Sequence, residues 1–522
     1  MSASFYVTTP IYYVNDEPHI GHAYTTVLAD TLARFHRLFG DSTRFLTGTD
    51  EHGQKVQQAA EKRGIEPQQH CDEMVERFRA AWRRLEISQD DFIRTTEERH
   101  QRVVRRILTD LHAKGEIYTQ RYEGLYCVPD ERFWTPKDVV EGKCPLCGRE
   151  VTSISEENYF FRMGNYQEWL IEHISSHPEF IQPESRRNEV LGFLKKPLGD
   201  LCISRPASRL RWGIPLPFDP GFVTYVWFDA LINYLSAVDG LQSPGGPWWP
   251  ATLHLIGKDI LTTHSVYWST MLRAAGLPLP RTILAHGWWL VGETKMGKSL
   301  GNAVKPLDLL EVYGADAFRY FLMRDMVVGQ DSEWSEEALI GRINADLAND
   351  LGNCLNRVER MIQNYAGAKV PAVSGMEPVD QEIVVLAETA VRTAVTAVRE
   401  VRLHQAIEET FQLVRAVNKY LEVKAPWKAV KQEGQPGVAT TLAVSAEALR
   451  LAAVLLSPVM PRKCGEVLHR LGVLDQPDAL VTRGFEAGTG GIWTDDLLRW
   501  GGLPPGTPLR PAGPLFPRIE TT

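Results

Sequence analysis

The stretch Ser4 to Phe39 constrains this chain more than any other, because it changes period once and abruptly. Phe5 to Thr8 is aromatic and β-branched, the composition of a strand. Pro10, Asn15, Asp16 and Pro18 punctuate a loop. From His19, apolar residues recur at three- and four-residue steps through Ile20, Tyr24, Val27, Leu28, Leu32, Phe35 and Phe39, which predicts an amphipathic helix. Gly40 stands where a helix C-terminal glycine belongs. A strand that runs through a tight loop into a helix is the opening unit of an open α/β sheet. His19 and His22 fall in the helix's first turn with Gly21 between them. A helix start presents unbonded N–H groups and partial positive charge, so it attracts anions. Two imidazoles add donors for phosphate oxygens, and Gly21 lets a ligand lie against the backbone.

The remaining totals set bounds. At 522 residues, two to four domains are expected. A formal charge of -8 carries no global nucleic-acid signal, so any RNA contact must be local. No uninterrupted apolar run approaches ~20 residues, and no membrane span or signal peptide is expected. The 7 cysteines are thinly spread, which predicts a reducing, cytoplasmic setting without a disulfide framework.

The opening plan then repeats. Arg44 to Thr47 reads as a second strand, followed by a polar loop, Gly48 to Gly53, that carries Asp50, Glu51 and His52. Helices are expected over Gln54 to Arg63, Pro67 to Leu85 and Glu97 to Lys114. From Glu116 to Phe222 helical periodicity fades and the composition shifts, which marks an insertion. It holds Cys127 and Asp130, then Cys144 and Cys147 in a C-x-x-C knuckle. Three thiolates with Asp130 or a water as the fourth ligand are an acceptable tetrahedral set for structural zinc; the competing reading is a knuckle turn without metal. Val223 to Asp229 reads as a strand, His254 to Ile256 as another, Gly257 to Asp259 as a turn and Ile260 to Ala275 as a helix. The α/β plan therefore resumes after the insertion.

Gly292 to Ser299 fits the G-x-x-x-x-G-K-S pattern of a P-loop. A P-loop must open a helix, and Gly301 and Pro306 disfavour one there. The better reading is a loop whose Lys295 and Lys298 clamp phosphates. Beyond Ser335 the pattern is helical, an all-α bundle. Asn353 and Arg357 share a helix face, and Trp427 follows a proline at a helix boundary. Such groups suit base stacking, although pattern alone favours solvated polar residues and a core tryptophan.

His19-Ile20-Gly21-His22 and Lys295-Met296-Gly297-Lys298-Ser299 thus bracket a split α/β fold with a helical region behind it. With YVTTPIYYVNDEPHIGHAYT, FLTGTDEHG, YVWFDALINY, LHLIGKDILTTHSVYW, APWK and LFPRIE, the sequence resembles the methionyl-tRNA synthetases, a family of class I aminoacyl-tRNA synthetases, from Tyr6 to Glu520. The resemblance implies a Rossmann catalytic domain in two halves (1–115 and 223–290), a zinc-bearing connective peptide (116–222), a stem-contact region with the lysine loop (291–334), an anticodon-binding helical domain (335–500) and a tail (501–522). It implies activation of methionine by ATP with Mg2+, then transfer to the 3′ end of tRNA(Met). His19, His22, Lys295 and Lys298 would be catalytic. Gly21, Gly257, Asp259 and Ser299 would join them on ATP. Ile11, Tyr13, Asp50, Trp227, Ala230, Tyr234 and His264 would hold methionine. Asn353, Arg357 and Trp427 would read the anticodon, and Cys127, Asp130, Cys144 and Cys147 would hold one structural zinc.

Two positions depart from the family pattern. Gly297 replaces a usual serine, which loosens the lysine loop, and Asp130 replaces a usual cysteine in the knuckle. The chain also ends soon after LFPRIE, so a monomer is expected. Relatives with large editing domains need a longer insertion than 116–222. The alternatives are a small-molecule nucleotidyltransferase sharing His-x-Gly-His, which needs no helical domain, and a non-catalytic tRNA-binding paralogue.

Overall fold

In a computed structural model of the protein, residues 4–127, 132–134, 139–145, 148–243, 246–292, 294–295, 304–431, 437–485 and 494–520 are described. Seven strands form the central sheet, numbered here in chain order: β1 Ser4–Thr8, β2 Tyr12–Tyr13, β3 Ser42–Asp50, β4 Asp91–Arg94, β5 Ile181–Gln182, β6 Leu253–Gly257 and β7 Thr282–His286. All pairings are parallel, in the order β2-β3-β1-β6-β7-β5, with β4 also on β3. β1 lies between β3, to which the chain next returns, and β6, which follows the insertion. That reversal is the switch point where an open sheet leaves a crevice for ligands. Phe5 to Thr8 are all buried, as a central parallel strand requires.

Several elements differ from the sequence reading. β3 continues to Asp50, so Gly48 and Asp50 are in a strand rather than a loop. Gly48 is required there: a Cβ would stand 2.1 Å from Ile93 O on β4. β4 is four residues long and escapes a period-2 search. The insertion contains an antiparallel sheet, with Ile117–Cys127 against Thr152–Phe161. It also contributes the helices Gln167–Ser176 and Glu184–Phe193 and returns β5 to the central sheet. Tyr225 to Asp229 is not strand: Asp219–Thr224 is, and Val226–Ala230 is helical. The aromatic, β-branched composition is satisfied by burial, not by pairing.

Helix α1, Ile20–Leu38, departs from the amphipathic expectation most informatively. Sixteen of its residues are buried, including Asp30, Arg34 and Arg37. The sheet covers one side, and residues that close the helical region cover the other. Asp30 Oδ2 meets Arg34 Nε at 2.8 Å and Arg319 Nη2 at 2.7 Å, and all three side chains are 0% exposed. Asp30 Oδ1 accepts from Ser88 N and Oγ, each at 2.6 Å. Arg34 donates onward to the carbonyls of Leu480, Val481 and Glu86. Arg319, in the helix Ala315–Asp325, donates to Val459, Pro458 and Leu85.

The remainder is a helical bundle of Asn353–Ala366, Pro378–Arg399, Leu403–Lys424, Gly437–Leu456 and Pro461–Arg470. Gly437–Leu456 is long and apolar enough to cross a membrane by length and composition, but it is buried inside the bundle. Its pair Glu447–Arg450 holds the C-terminal segment: Arg450 donates to the carbonyls of Leu497 and Arg499, and Glu447 accepts from the N–H of Gly501 and Gly502.

Burial would raise the Asp30 carboxyl, but Arg34, Arg319 and Ser88 outweigh it and hold it at about 2, against an ordinary 3.8. Its contribution is therefore complete above pH ~4 and is lost as pH falls through the folded value. Asp30→Asn leaves two guanidinium groups buried without a counter-charge and is expected to cost about 3–5 kcal/mol. Denaturant titration at pH 7 and pH 3 measures this, and the difference between variant and parent shrinks at the lower pH.

Candidate functional site

His19 caps helix α1, and it does so with a side chain rarely used for capping. Its Nδ1 accepts from Gly21 N at 3.1 Å, while His22 Nδ1 accepts from His19 N at 3.3 Å. This reciprocal pair is a capping box built from two imidazoles. The rings stack with centroids 3.7 Å apart. Because each Nδ1 is an acceptor, each neutral ring carries its proton on Nε2. Two N–H donors are thereby presented at the positive end of the helix. Gly21 has a further reason to be glycine: a Cβ there would lie 2.9 Å from His19 Cε1 and displace the ring. Tyr12 packs against His22 at 4.8 Å and bonds Thr26 Oγ1 at 2.8 Å, which fixes the ring from behind.

These histidines open onto a cavity of about 270 Å³ at the carboxyl ends of the strands. Its walls bring together all seven residues expected to hold the amino acid, Ile11, Tyr13, Asp50, Trp227, Ala230, Tyr234 and His264. They also bring in Gly21, Gly257 and Asp259 from the expected nucleotide set. Tyr13 and Asp50 are register partners across β2 and β3, so the loop before α1 and the end of β3 form one rim. Asp50 is 2% exposed. A buried carboxylate at an otherwise apolar end suits a small ammonium group.

His264 and Tyr234 are hydrogen-bonded to each other in the cavity wall. Tyr234 Oη lies 2.8 Å from His264 Nε2, and His264 Nδ1 lies 2.9 Å from Ile260 O. Burial lowers His264 to about 4, against the Ile260 carbonyl and Asp259, so the ring is neutral. Nδ1–H donates to the Ile260 carbonyl and Nε2 accepts the tyrosine proton. Each therefore spends its main polar group on the other. What they offer the cavity is ring surface and the tyrosine lone pairs.

Residues that the sequence reading missed complete the walls. His286, at the end of β7, is 2.7 Å from Thr25 Oγ1 and joins the wall to α1. Trp288 donates to Asp259 Oδ1 at 3.2 Å, and Lys258 lies over the Trp288 ring at 4.0 Å. His254 supports Tyr234 from below, with ring centroids 4.2 Å apart, and burial pushes it well below the ordinary histidine value. His286 ends an apolar strand at the carboxyl edge of the sheet, a position that could have flagged it.

Lys298 and Ser299, with Gly297, lie outside the described residues, as do Asp130 and Cys147. Lys295 is in the short strand Thr294–Lys295, paired with Leu290. Cys127 and Cys144 are buried. Among the described residues no cluster of three metal-ligating side chains occurs. In the helical bundle, outside the cavity lining, Arg357 lies over the Trp427 ring at 5.5 Å and pairs with Glu422 at 2.6 Å. Trp427 is half-buried and Asn353 exposed, one turn from Arg357.

The model of the family "tRNA synthetases class I (M)" matches residues 5–154 and 150–359, and that of the "anticodon binding domain of methionyl tRNA ligase" matches 370–482. A methionine–tRNA ligase of Caldanaerobacter subterraneus subsp. tengcongensis is 44% identical over 524 residues, covering 100% of this chain and 80% of the relative. One from Thermosynechococcus vestitus is 43% identical, covering 99% and 98%. Mycobacterium tuberculosis methionyl-tRNA synthetase in complex with methionyl-adenylate superposes with TM-score 0.90 at 39% identity, over 99% of this chain and 100% of that one. The free form of that enzyme gives 0.83 at 36% identity, over 100% and 99%.

Proposed function

Since the chain belongs to the methionyl-tRNA synthetase family of class I aminoacyl-tRNA synthetases, we propose that methionine and ATP meet in the cavity at the start of α1. The activity is that of a methionine–tRNA ligase: methionine and ATP give methionyl-adenylate and pyrophosphate, and the methionyl group passes to tRNA. The observation that carries the assignment of parts is that the double-histidine cap and Asp50 line one cavity. Asp50 takes the α-ammonium. Ile11, Trp227 and Ala230 enclose the thioether chain, and Tyr234 and His264 present ring surface to its sulfur. This leaves the carboxylate directed towards the nucleotide.

In the first step a carboxylate oxygen of methionine bonds to the α-phosphorus, and the bond to the bridging oxygen of pyrophosphate breaks. Charge grows on phosphate oxygens. The Nε2–H groups of His19 and His22 are already oriented by the cap, so they donate without reorganisation. Gly21, Gly257 and Asp259 border the nucleotide, and Lys295, Lys298 and Ser299 meet it on the pyrophosphate side. Mg2+ enters with ATP as part of the substrate. The protein carries out this reaction as a cytoplasmic monomer.

Methionine should drive ATP–pyrophosphate exchange. His22→Ala should reduce the exchange by about 10²-fold or more while circular dichroism is unchanged. Exchange driven by valine or cysteine but not by methionine would remove the assignment.

At the other end, the pair Arg357–Trp427 with Asn353 suits unpaired anticodon bases, one stacked on the ring and others met at their edges. Trp427→Ala is expected to weaken tRNA charging about tenfold while leaving exchange intact. An equal loss in both assays would make Trp427 a packing residue.

A structural zinc at the knuckle is part of the same proposal, and two backbone hydrogen bonds support it. Cys144 N–H donates to Arg149 O and Gly148 N–H to Cys144 O, both at 2.8 Å, with Gly148 at φ 70°. These bonds bring the backbone of Cys144 next to that of Gly148 and Arg149. Cys127 and Cys144, with Asp130 and Cys147, would hold one Zn2+ and take no part in the chemistry. Elemental analysis of purified protein is expected to give about one zinc per chain; a value near zero rejects the site.

A further inference from the structure

Asp229 has no part in the assignments above, yet it lies behind the cavity wall at the junction of three elements. Its side chain is 0% exposed. His52 Nδ1 stands 2.6 Å from Oδ2, and His100 Nε2 stands 2.7 Å from Oδ1. Both histidines are buried as well. Burial would raise this carboxyl, but His52 and His100 outweigh it and bring it to about 2. The carboxylate is ionised at neutral pH, so each ring nitrogen facing it carries a proton. His100 Nδ1 is 2.9 Å from Ser236 Oγ, which also lies 3.1 Å from Asn233 O. The network thus returns to the segment that carries Tyr234.

His52 is two residues past Asp50, at the end of β3. Asp229 stands between Trp227 and Ala230 in the helix Val226–Ala230. His100 is in the helix Glu98–Ala113, which packs against the helix Asn233–Ser236. One carboxylate therefore ties the wall that takes the ammonium to the wall that takes the side chain. A buried ionised group is costly to keep where apolar packing would serve, and its geometry is specific. Glu51, by contrast, anchors the strand end to β4 through Arg94 at 2.7 and 3.0 Å and through its N–H to Thr95 Oγ1 at 2.9 Å. That anchor holds the strand end but does not reach the opposite wall.

We propose that Asp229 is a positioning residue for methionine activation: through His52 and His100 it sets the separation between Asp50 and the Trp227–Ala230 wall, and so governs KM for methionine and not for ATP. This rests on the methionine-pocket reading given above. A small error in that separation is expensive, because misplacement of about 1 Å in a reactive pocket costs on the order of 10²-fold in rate.

Exchange kinetics on the full chain, with each substrate varied in turn, test it. Asp229→Ala is expected to raise KM for methionine about tenfold or more with KM for ATP within about twofold. Asp229→Asn is expected to recover most of the loss. The amide accepts from one ring and donates to the other, and His100 can accept by moving its proton to Nδ1, where Ser236 receives it. His52→Leu cuts the same link from the other side and should give the same split, which covers the case of an Asp229→Ala chain that does not fold. A proportional rise in both KM values, or an unchanged KM for methionine, overturns the inference and leaves the function in place. Absence of methionine-driven exchange in the unsubstituted protein removes both.

Discussion

Two guanidinium groups, Arg34 and Arg319, share one carboxylate in the middle of helix α1, and no water-facing surface is left to them. That arrangement anchors the helix whose first turn carries His19 and His22. Asp30 alone does not neutralise both arginines, so the pair reaches further, to carbonyls at 85 and 86, 458 and 459, and 480 and 481. Those carbonyls lie at the ends of helices or in loops, where backbone acceptors lack helical partners. The excess positive charge is thus spread over polar backbone from three separate parts of the chain. The cost of burying it is offset by these charge-assisted hydrogen bonds, which also fix where the helical region sits on the sheet.

This explains why α1 is buried almost all round, although its sequence reads as two-faced. Apolar periodicity identified the face against the sheet. The other face, with Asp30, Arg34 and Arg37, reads as a solvated stripe unless the partner that covers it is known. Arg319 and residues 458 to 481 are hundreds of positions away, and nothing in local spacing links them to Asp30.

The same distinction separates what the sequence made legible at the site from what it did not. His19, His22 and Asp50 stand at ends of elements, where period changes and loop residues betray them, and the resemblance added Trp227, Tyr234 and His264. The seven amino-acid positions converge on one cavity. The strand expected over Val223 to Asp229 misled because aromatic and β-branched residues suit any fully buried segment, and here the segment turns helical after Thr224. Asp229 and His100 were invisible for a related reason. A buried carboxylate and a buried imidazole look like any polar residues until the fold places them 2.7 Å apart. β4 and β5, at four and two residues, are too short to carry a period at all.

The histidine cap narrows what the first turn of α1 tolerates. Serine, threonine or aspartate at position 19 would close the helix as well or better, but would withdraw an N–H from the cavity. Lysine or arginine would bring positive charge but no acceptor for the Gly21 N–H. An imidazole has an acceptor and a donor on opposite sides of one rigid ring, and the backbone decides which nitrogen is which. Positions 19 and 22 are thus restricted twice over, once by helix geometry and once by the chemistry at the cavity. Drift that either demand alone would permit is blocked by the other.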